Sequence, residues 1–262
     1  MQVSILSLIF IAVSAIVSIG LPVFLFIWFY KKYNAKFIPM IVGAASFIIS
    51  VLVLEQSIHT IVLGAFKLQN IPAVYILYGA LMAGIFEESA RFISYQFLKK
   101  KYNGVCTGLS YGVGHGGIES ILLVGITMVG NLVFCIIINT GNVEILTKNG
   151  EGAALARLNA QIGALVTVKP YVFLIGGLER IFAIGVQISL AVMVYYAVFC
   201  KNKRYLYPLA IIIHAVVDIP AMLLQTGIIK QIAVVEILTG ISAVVLILLA
   251  KKLHERITIR NT

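Results

Sequence analysis

Long apolar runs alternate with short polar breaks from one end of the chain to the other. A membrane-crossing helix needs about 20 apolar residues. Read that way, the pattern predicts seven spans, at roughly 4–30, 37–65, 71–98, 107–139, 171–199, 207–228 and 231–250. The breaks read "KKYNAK", "KLQN", "KKKYN", "KNKRYLY" and a single Lys230, with one long connection between the fourth and fifth spans. Inside that connection, "EGAALARLNAQIGALV" has helical spacing; it suits either a helix on the outer membrane surface or a plain loop. The predicted class is all-α: one polytopic integral membrane domain over 1–262.

Composition agrees. The chain of 262 residues is 61% hydrophobic and 11% charged, with a mean hydropathy of +1.04. That is too little charge to cover a water-soluble domain of this length. The net charge of +10 does not indicate a nucleic-acid partner, because the basic residues sit in short clusters beside apolar spans. With seven spans, one side collects thirteen Lys and Arg: Lys31, Lys32, Lys36, Lys99, Lys100, Lys101, Lys201, Lys203, Arg204, Lys251, Lys252, Arg256 and Arg260. The other side has Lys67, Lys148, Arg157, Lys169 and Lys230. The positive-inside rule then puts the N-terminus outside and the C-terminus in the cytoplasm. The start, "MQVSILSLIFIAV", lacks a basic leader and reads as a retained first span. Cys106, Cys135 and Cys200 show no paired spacing, hence no disulfide framework and no cysteine metal signature.

The departures from apolarity carry the chemistry. Of ten acidic residues, seven fall inside predicted spans: Glu55, Glu87, Glu88, Glu119, Glu179, Asp218 and Glu236. Each charge at a span centre costs ~2.5–3.5 kcal/mol on insertion scales, so such residues are functional candidates by default. In "GIFEESARF", Glu87, Glu88 and Arg91 fall within one 100° arc of a helix. In "YGVGHGGIES", His115 and Glu119 are one turn apart; in "HAVVD", His214 and Asp218 are too. Counted from the span ends, Glu88, His115 and His214 share a depth on the order of 10–15 Å below the cytoplasmic face. That predicts a site, with small glycines around His115 allowing close helix approach. Glu179 and Arg180 read as a supporting pair nearer the outer face, and Glu55 with His59 as structural.

A buried carboxylate beside a guanidinium is a tuneable general base, and histidines beside it suit a bound water or an oxyanion. The same groups are competent zinc ligands. HExxH is absent, and the lone Asp excludes a paired-aspartate protease.

The segments "EESAR", "YGVGHGGIE" and "HAVVD", in that order on three spans, resemble the YhfC family of intramembrane proteases, relatives of the CPBP (CAAX-processing and bacteriocin-processing) proteases and more distantly of PrsW. The resemblance covers about 84–220. It implies Glu87 as water-activating base, His115 as its partner and His214 as oxyanion support, with Tyr111 where the CPBP pattern has Phe. Two departures stand out. Arg91 follows Glu88 by three residues, not four, which leaves Glu87 and Glu88 both candidates for the base. Asp218 replaces the CPBP Asn, so it is expected to orient His214.

The reading is a multi-pass intramembrane endopeptidase of a bacterial cell membrane, opening to the cytoplasmic leaflet. Its catalytic residues are Glu87, Glu88, His115 and His214, supported by Arg91, Glu119, Asp218, Glu179 and Arg180. Its substrate is a membrane-embedded or membrane-proximal peptide. The glutamate form, without a cofactor, is favoured; the zinc alternative uses Glu88, His115 and His214. A metal or proton transporter, or a non-catalytic binding or immunity protein, are the rival readings.

Overall fold

The computed structural model describes residues 2–148 and 151–259. Arg260, counted above with the basic tail, lies outside them. Every regular element among the described residues is helical. The main helices are α1 (Ile5–Tyr33), α2 (Phe37–Phe66), α3 (Pro72–Leu98), α4 (Cys106–Asn139), α5 (Gly152–Thr167), α6 (Pro170–Phe199), α7 (Leu206–Gln225) and α8 (Ile232–Ile259). Most ends fall within three residues of the predicted spans. The exception is α8, which continues through the polar "KKLHER" beyond its apolar run.

Among the described residues six helices (α1, α2, α4, α6, α7 and α8) are long and apolar enough to cross a membrane by length and composition. The remaining expected span, α3, has 27 residues, which is length enough, but Glu87, Glu88 and Arg91 interrupt its apolar run. Pro72 opens α3 at its first turn, where a missing N–H costs nothing.

The chain divides into two compact units, Met1–Leu21 with Ser120–Ile181, and Pro22–Glu119 with Phe182–Thr262. In the first, Val3, Ile11, Cys135, Ile138, Ile162, Leu165 and Phe173 form the core. The segment "EGAALARLNAQIGALV" is helical, as its spacing suggested, and buries Ile162 and Leu165 there. Asn139 clamps the backbone of Val3, accepting from its N–H at 2.7 Å and donating to its C=O at 3.0 Å.

The second unit carries the intramembrane charges. Its core centres on Tyr95, Tyr111, Leu190, Val194, Tyr195 and Ala210. Within it, α3 packs chiefly against α7, and glycine makes that approach possible: a Cβ on Gly84 would stand 2.6 Å from the Ile211 carbonyl oxygen. Similarly, a Cβ on Gly112 would meet the Ile188 Cα at 2.7 Å, and one on Gly116 the Gln187 Cβ at 2.7 Å. Small residues thus bring α3 close to α7 and α4 close to α6, near enough for short side chains to meet.

Helix α2 departs from regular geometry midway. Residues Ile48–Glu55 form a π-helical segment. The buried positions of this helix run Pro39, Gly43, Ser46 and Phe47, then Ser50, then Glu55. The last step is five residues, the π spacing, and it turns Glu55 inward while Leu54 stays half exposed.

The orientation expected from the charge bias is open to direct measurement. In a cysteine-free background, single cysteines at positions 34 and 202 should react with an impermeant thiol reagent only from the cytoplasm, and one at Asn142 only from outside. Reaction of position 142 from the cytoplasm would overturn the seven-span arrangement.

Candidate functional site

Glu87, Glu88 and Arg91 share one face of α3, and all three are buried. Arg91 joins the two carboxylates: Nη1 donates to Glu88 Oε1, and Nη2 lies 3.2 Å from Glu87 Oε2. The spacing of three and four residues is what a helix needs for one guanidinium to reach both. It also explains why such charges are tolerated here. A buried charge without a partner costs several kcal/mol, and here each carboxylate has the shared Arg91 guanidinium beside it.

The two histidines come in from different helices, one to each carboxylate. His115, on α4, donates from Nε2 to Glu87 Oε2 at 2.8 Å. Its ring is held edge-on by Phe47, at 5.3 Å between centroids, and stacked by Tyr111 at 5.9 Å. Tyr111 is fixed in turn by a 2.5 Å hydrogen bond with Ser46. His214, on α7, donates from Nδ1 to Glu88 Oε1 at 2.6 Å. Its other nitrogen, Nε2, faces Glu87 Oε1 at 3.8 Å and Asp218 Oδ2 at 3.5 Å, both longer than a hydrogen bond. The structure therefore brings together Glu88, His115 and His214, the three residues expected at one depth, with Glu87 beside them.

It also redistributes their partners. Asp218 was expected to orient His214, but Glu88 does so: Gly84 seats α7 against α3, which puts Nδ1 on Glu88, while Asp218 lies one turn further along α7 on the Nε2 side. Glu119 was expected to back His115 from one turn away. Glu119 instead accepts from Gln187 Nε2 at 2.6 Å. That nitrogen also lies 3.0 Å from Glu87 Oε2, and Arg91 Nη2 donates to Gln187 Oε1. Gln187, on α6, is the residue sequence reasoning missed. Its signal was a lone amide inside an apolar span, "AIGVQISL". Glu179 and Arg180 belong to the first unit, where Arg180 Nε donates to Glu179 Oε2 at 2.5 Å.

Among the described residues no three His, Cys, Asp or Glu side chains stand in a closed metal-ligand arrangement. The nearest to one is Glu87 with the two Nε2 atoms, at 2.8 and 3.8 Å from its two oxygens. Donors around one tetrahedral zinc at ~2.1 Å lie ~3.4 Å apart; the set fits in chemical type, while the 2.8 Å His115–Glu87 contact is a hydrogen bond, closer than two zinc donors stand. Glu88, bonded to the back of His214, then fills the place of a carboxylate that orients a ligating imidazole. In the zinc alternative read from sequence, with Glu88, His115 and His214, Glu88 is hydrogen-bonded to His214 Nδ1.

No solved structure matches the chain significantly. A curated protein does: the uncharacterized membrane protein YhfC of Bacillus subtilis (strain 168) is 38% identical over 243 residues, which are 90% of this chain and 92% of that protein. Residues 17–239 match the family described as YhfC intramembrane metalloprotease, a stretch that includes α3, α7 and all the charged residues just described. With six apolar helices of spanning length and a match over most of its length, this multi-pass bacterial membrane protein belongs to the YhfC intramembrane metalloprotease family.

Proposed function

We propose that the protein is an intramembrane endopeptidase that hydrolyses a membrane-embedded or membrane-proximal peptide, with Glu87 as the water-activating carboxylate. The observation that carries this reading is the division of labour on Glu87. Its Oε2 is occupied by His115, Gln187 and Arg91, which fixes the carboxylate, while Oε1 is turned toward His214 Nε2. A water at Oε1 gives up a proton to Glu87, and its oxygen attacks the scissile carbonyl carbon. His214, held at Nδ1 by Glu88, presents Nε2 to the developing oxyanion. As the C–N bond breaks, Glu87 returns the proton to the leaving amine, so water's OH ends on the acyl carbon and its H on nitrogen. The site sits in the cytoplasmic half of the membrane, within a seven-span chain whose N-terminus is outside.

His115, His214 and Glu87 would hold a zinc ion, which when bound supplies a more acidic water and Lewis-acid polarisation. The fixed positive charge of Arg91 beside Glu87 opposes a second cation and favours the direct glutamate form. The test is cleavage of single-span peptides by the protein reconstituted in liposomes, read by mass spectrometry alongside bound-metal analysis. Wild type should cut, with activity surviving a chelator. Asp218→Asn, which keeps the size and a polar group at the Nε2 side of His214, should retain substantial activity. Stoichiometric zinc lost together with activity, in Asp218→Asn or on chelation, would assign the metal form. Absence of any cleavage by wild type would overturn the proposal.

A further inference from the structure

Glu55 and His59, one turn apart on α2, belong to no part of the chemistry above. Glu55 is only 4% exposed. Its Oε1 accepts from His59 Nε2 at 3.1 Å, and Tyr78 O–H lies 2.9 Å from His59 Nδ1. The second oxygen, Oε2, is buried with no hydrogen-bond partner. A carboxylate oxygen left bare in an apolar interior is costly, and the π-helical step of α2 is what turns this side chain inward.

Glu55 and His59 line a cavity of about 390 Å³, together with Tyr75, Tyr78, Asp218 and Gln225. Its inner wall is Asp218, whose Oδ2 is 3.5 Å from His214 Nε2. From there it runs along the N-terminal half of α3 and the C-terminal half of α7, toward the 67–71 and 226–231 connections. Gln225 donates to Tyr75 O–H across its outer part at 3.0 Å. The site is closed in the other direction, toward Lys99–Lys101. Tyr95 and Tyr111 are fully buried there, their rings 4.8 Å apart, with Tyr95 O–H bonded to the Ala191 carbonyl at 3.0 Å.

We infer that this cavity is the route by which hydrolytic water reaches Glu87 and His214, with Glu55 Oε2 and Asp218 as its fixed polar stations. The inference rests on the hydrolase reading and adds a direction to it. Water enters from the end that carries the 67–71 and 226–231 connections. A water occupies ~30 Å³ in the liquid and needs two to four polar partners. The cavity offers both, with room for a chain of several waters.

Two measurements test this. In a cysteine-free background, single cysteines replace Ala83 or Ala221, both on the cavity wall, with Gln69→Cys reporting which face bears the 67–71 connection. A small, charged, membrane-impermeant methanethiosulfonate is applied to each face in turn. Positions 83 and 221 should react from the same face as position 69, and modification should lower turnover at least tenfold. Reaction from the opposite face only, no reaction from either face, or full modification with unchanged turnover, would overturn the inference. The labelling needs no activity, so a preparation that cuts nothing defeats the protease reading yet still reports on access.

The second measurement compares Glu55→Gln with Glu55→Leu. The amide keeps a polar station and should retain kcat within a few-fold. The leucine should lower kcat at least tenfold with KM unchanged and with no loss of thermal stability, since it removes a bare buried carboxylate. Wild-type kcat in the Glu55→Leu enzyme would sink the role given to Glu55.

Discussion

Glu87→Gln is expected to lower peptide cleavage by ~10²–10⁴-fold, the range lost when a positioned general base is removed, and to leave the fold in place. The amide can turn its oxygen toward His115 Nε2, Gln187 Nε2 and Arg91 Nη2, the donors that Oε2 now accepts. Its NH₂ then takes the position of Oε1, facing His214 Nε2. The packing contacts survive, and only the capacity to take a proton from water is lost. Initial rates by mass spectrometry, with thermal melting in detergent as the folding control, check this. Turnover within tenfold of wild type would remove Glu87 from the mechanism. The same assay orders the other members of the site. His115→Ala and His214→Ala should be as inactive as Glu87→Gln. Glu88→Gln should also lose most activity, because His214 Nδ1 then lacks its charged acceptor.

Arg91→Met has the largest expected effect on stability. The guanidinium is fully buried and bridges Glu87 and Glu88. Removing one partner from a buried ion pair typically costs ~3–5 kcal/mol, because the remaining charge has neither water nor a counter-ion. Here two carboxylates are left on adjacent residues of a membrane-embedded helix. The melting temperature in detergent should fall sharply. Glu88→Gln in the same chain should restore part of the loss, since only one carboxylate then remains near the vacated position. The double-mutant cycle isolates the coupling between the two side chains. An Arg91→Met protein that melts with wild type would mean the guanidinium is not what holds these carboxylates in place.

The helices were largely legible in the sequence because membrane insertion imposes a simple rule, a long apolar run between polar breaks. The site was legible for the converse reason: Glu87, Glu88, His115 and His214 are costly where they are, and equal depth on three helices is a geometric coincidence that counting reveals. What could not be counted was rotation. Whether His214 Nδ1 turns to Asp218 on its own helix or to Glu88 on α3 depends on how closely α7 docks at Gly84, and no spacing within "HAVVD" encodes that. Gln187 was missed because an amide carries no formal charge and so does not disturb the hydropathy pattern. Its importance comes from standing between Glu119, Arg91 and Glu87. Glu55 read as structural because its inward bearing depends on a break in helical period that the sequence does not announce.

That break has a consequence for how the chain tolerates length changes. Deleting one residue from a regular helix turns everything beyond it by about 100° and usually sends a buried face outward. In α2 the buried stripe already spends five residues between Ser50 and Glu55. Losing one of Val51–Leu54 shortens that interval to four, the ordinary α-helical step, so Glu55 and His59 keep their bearing while the wide turn relaxes into regular helix. The segment is thus a site where related chains can differ by a residue in length without rotating the remainder of the helix.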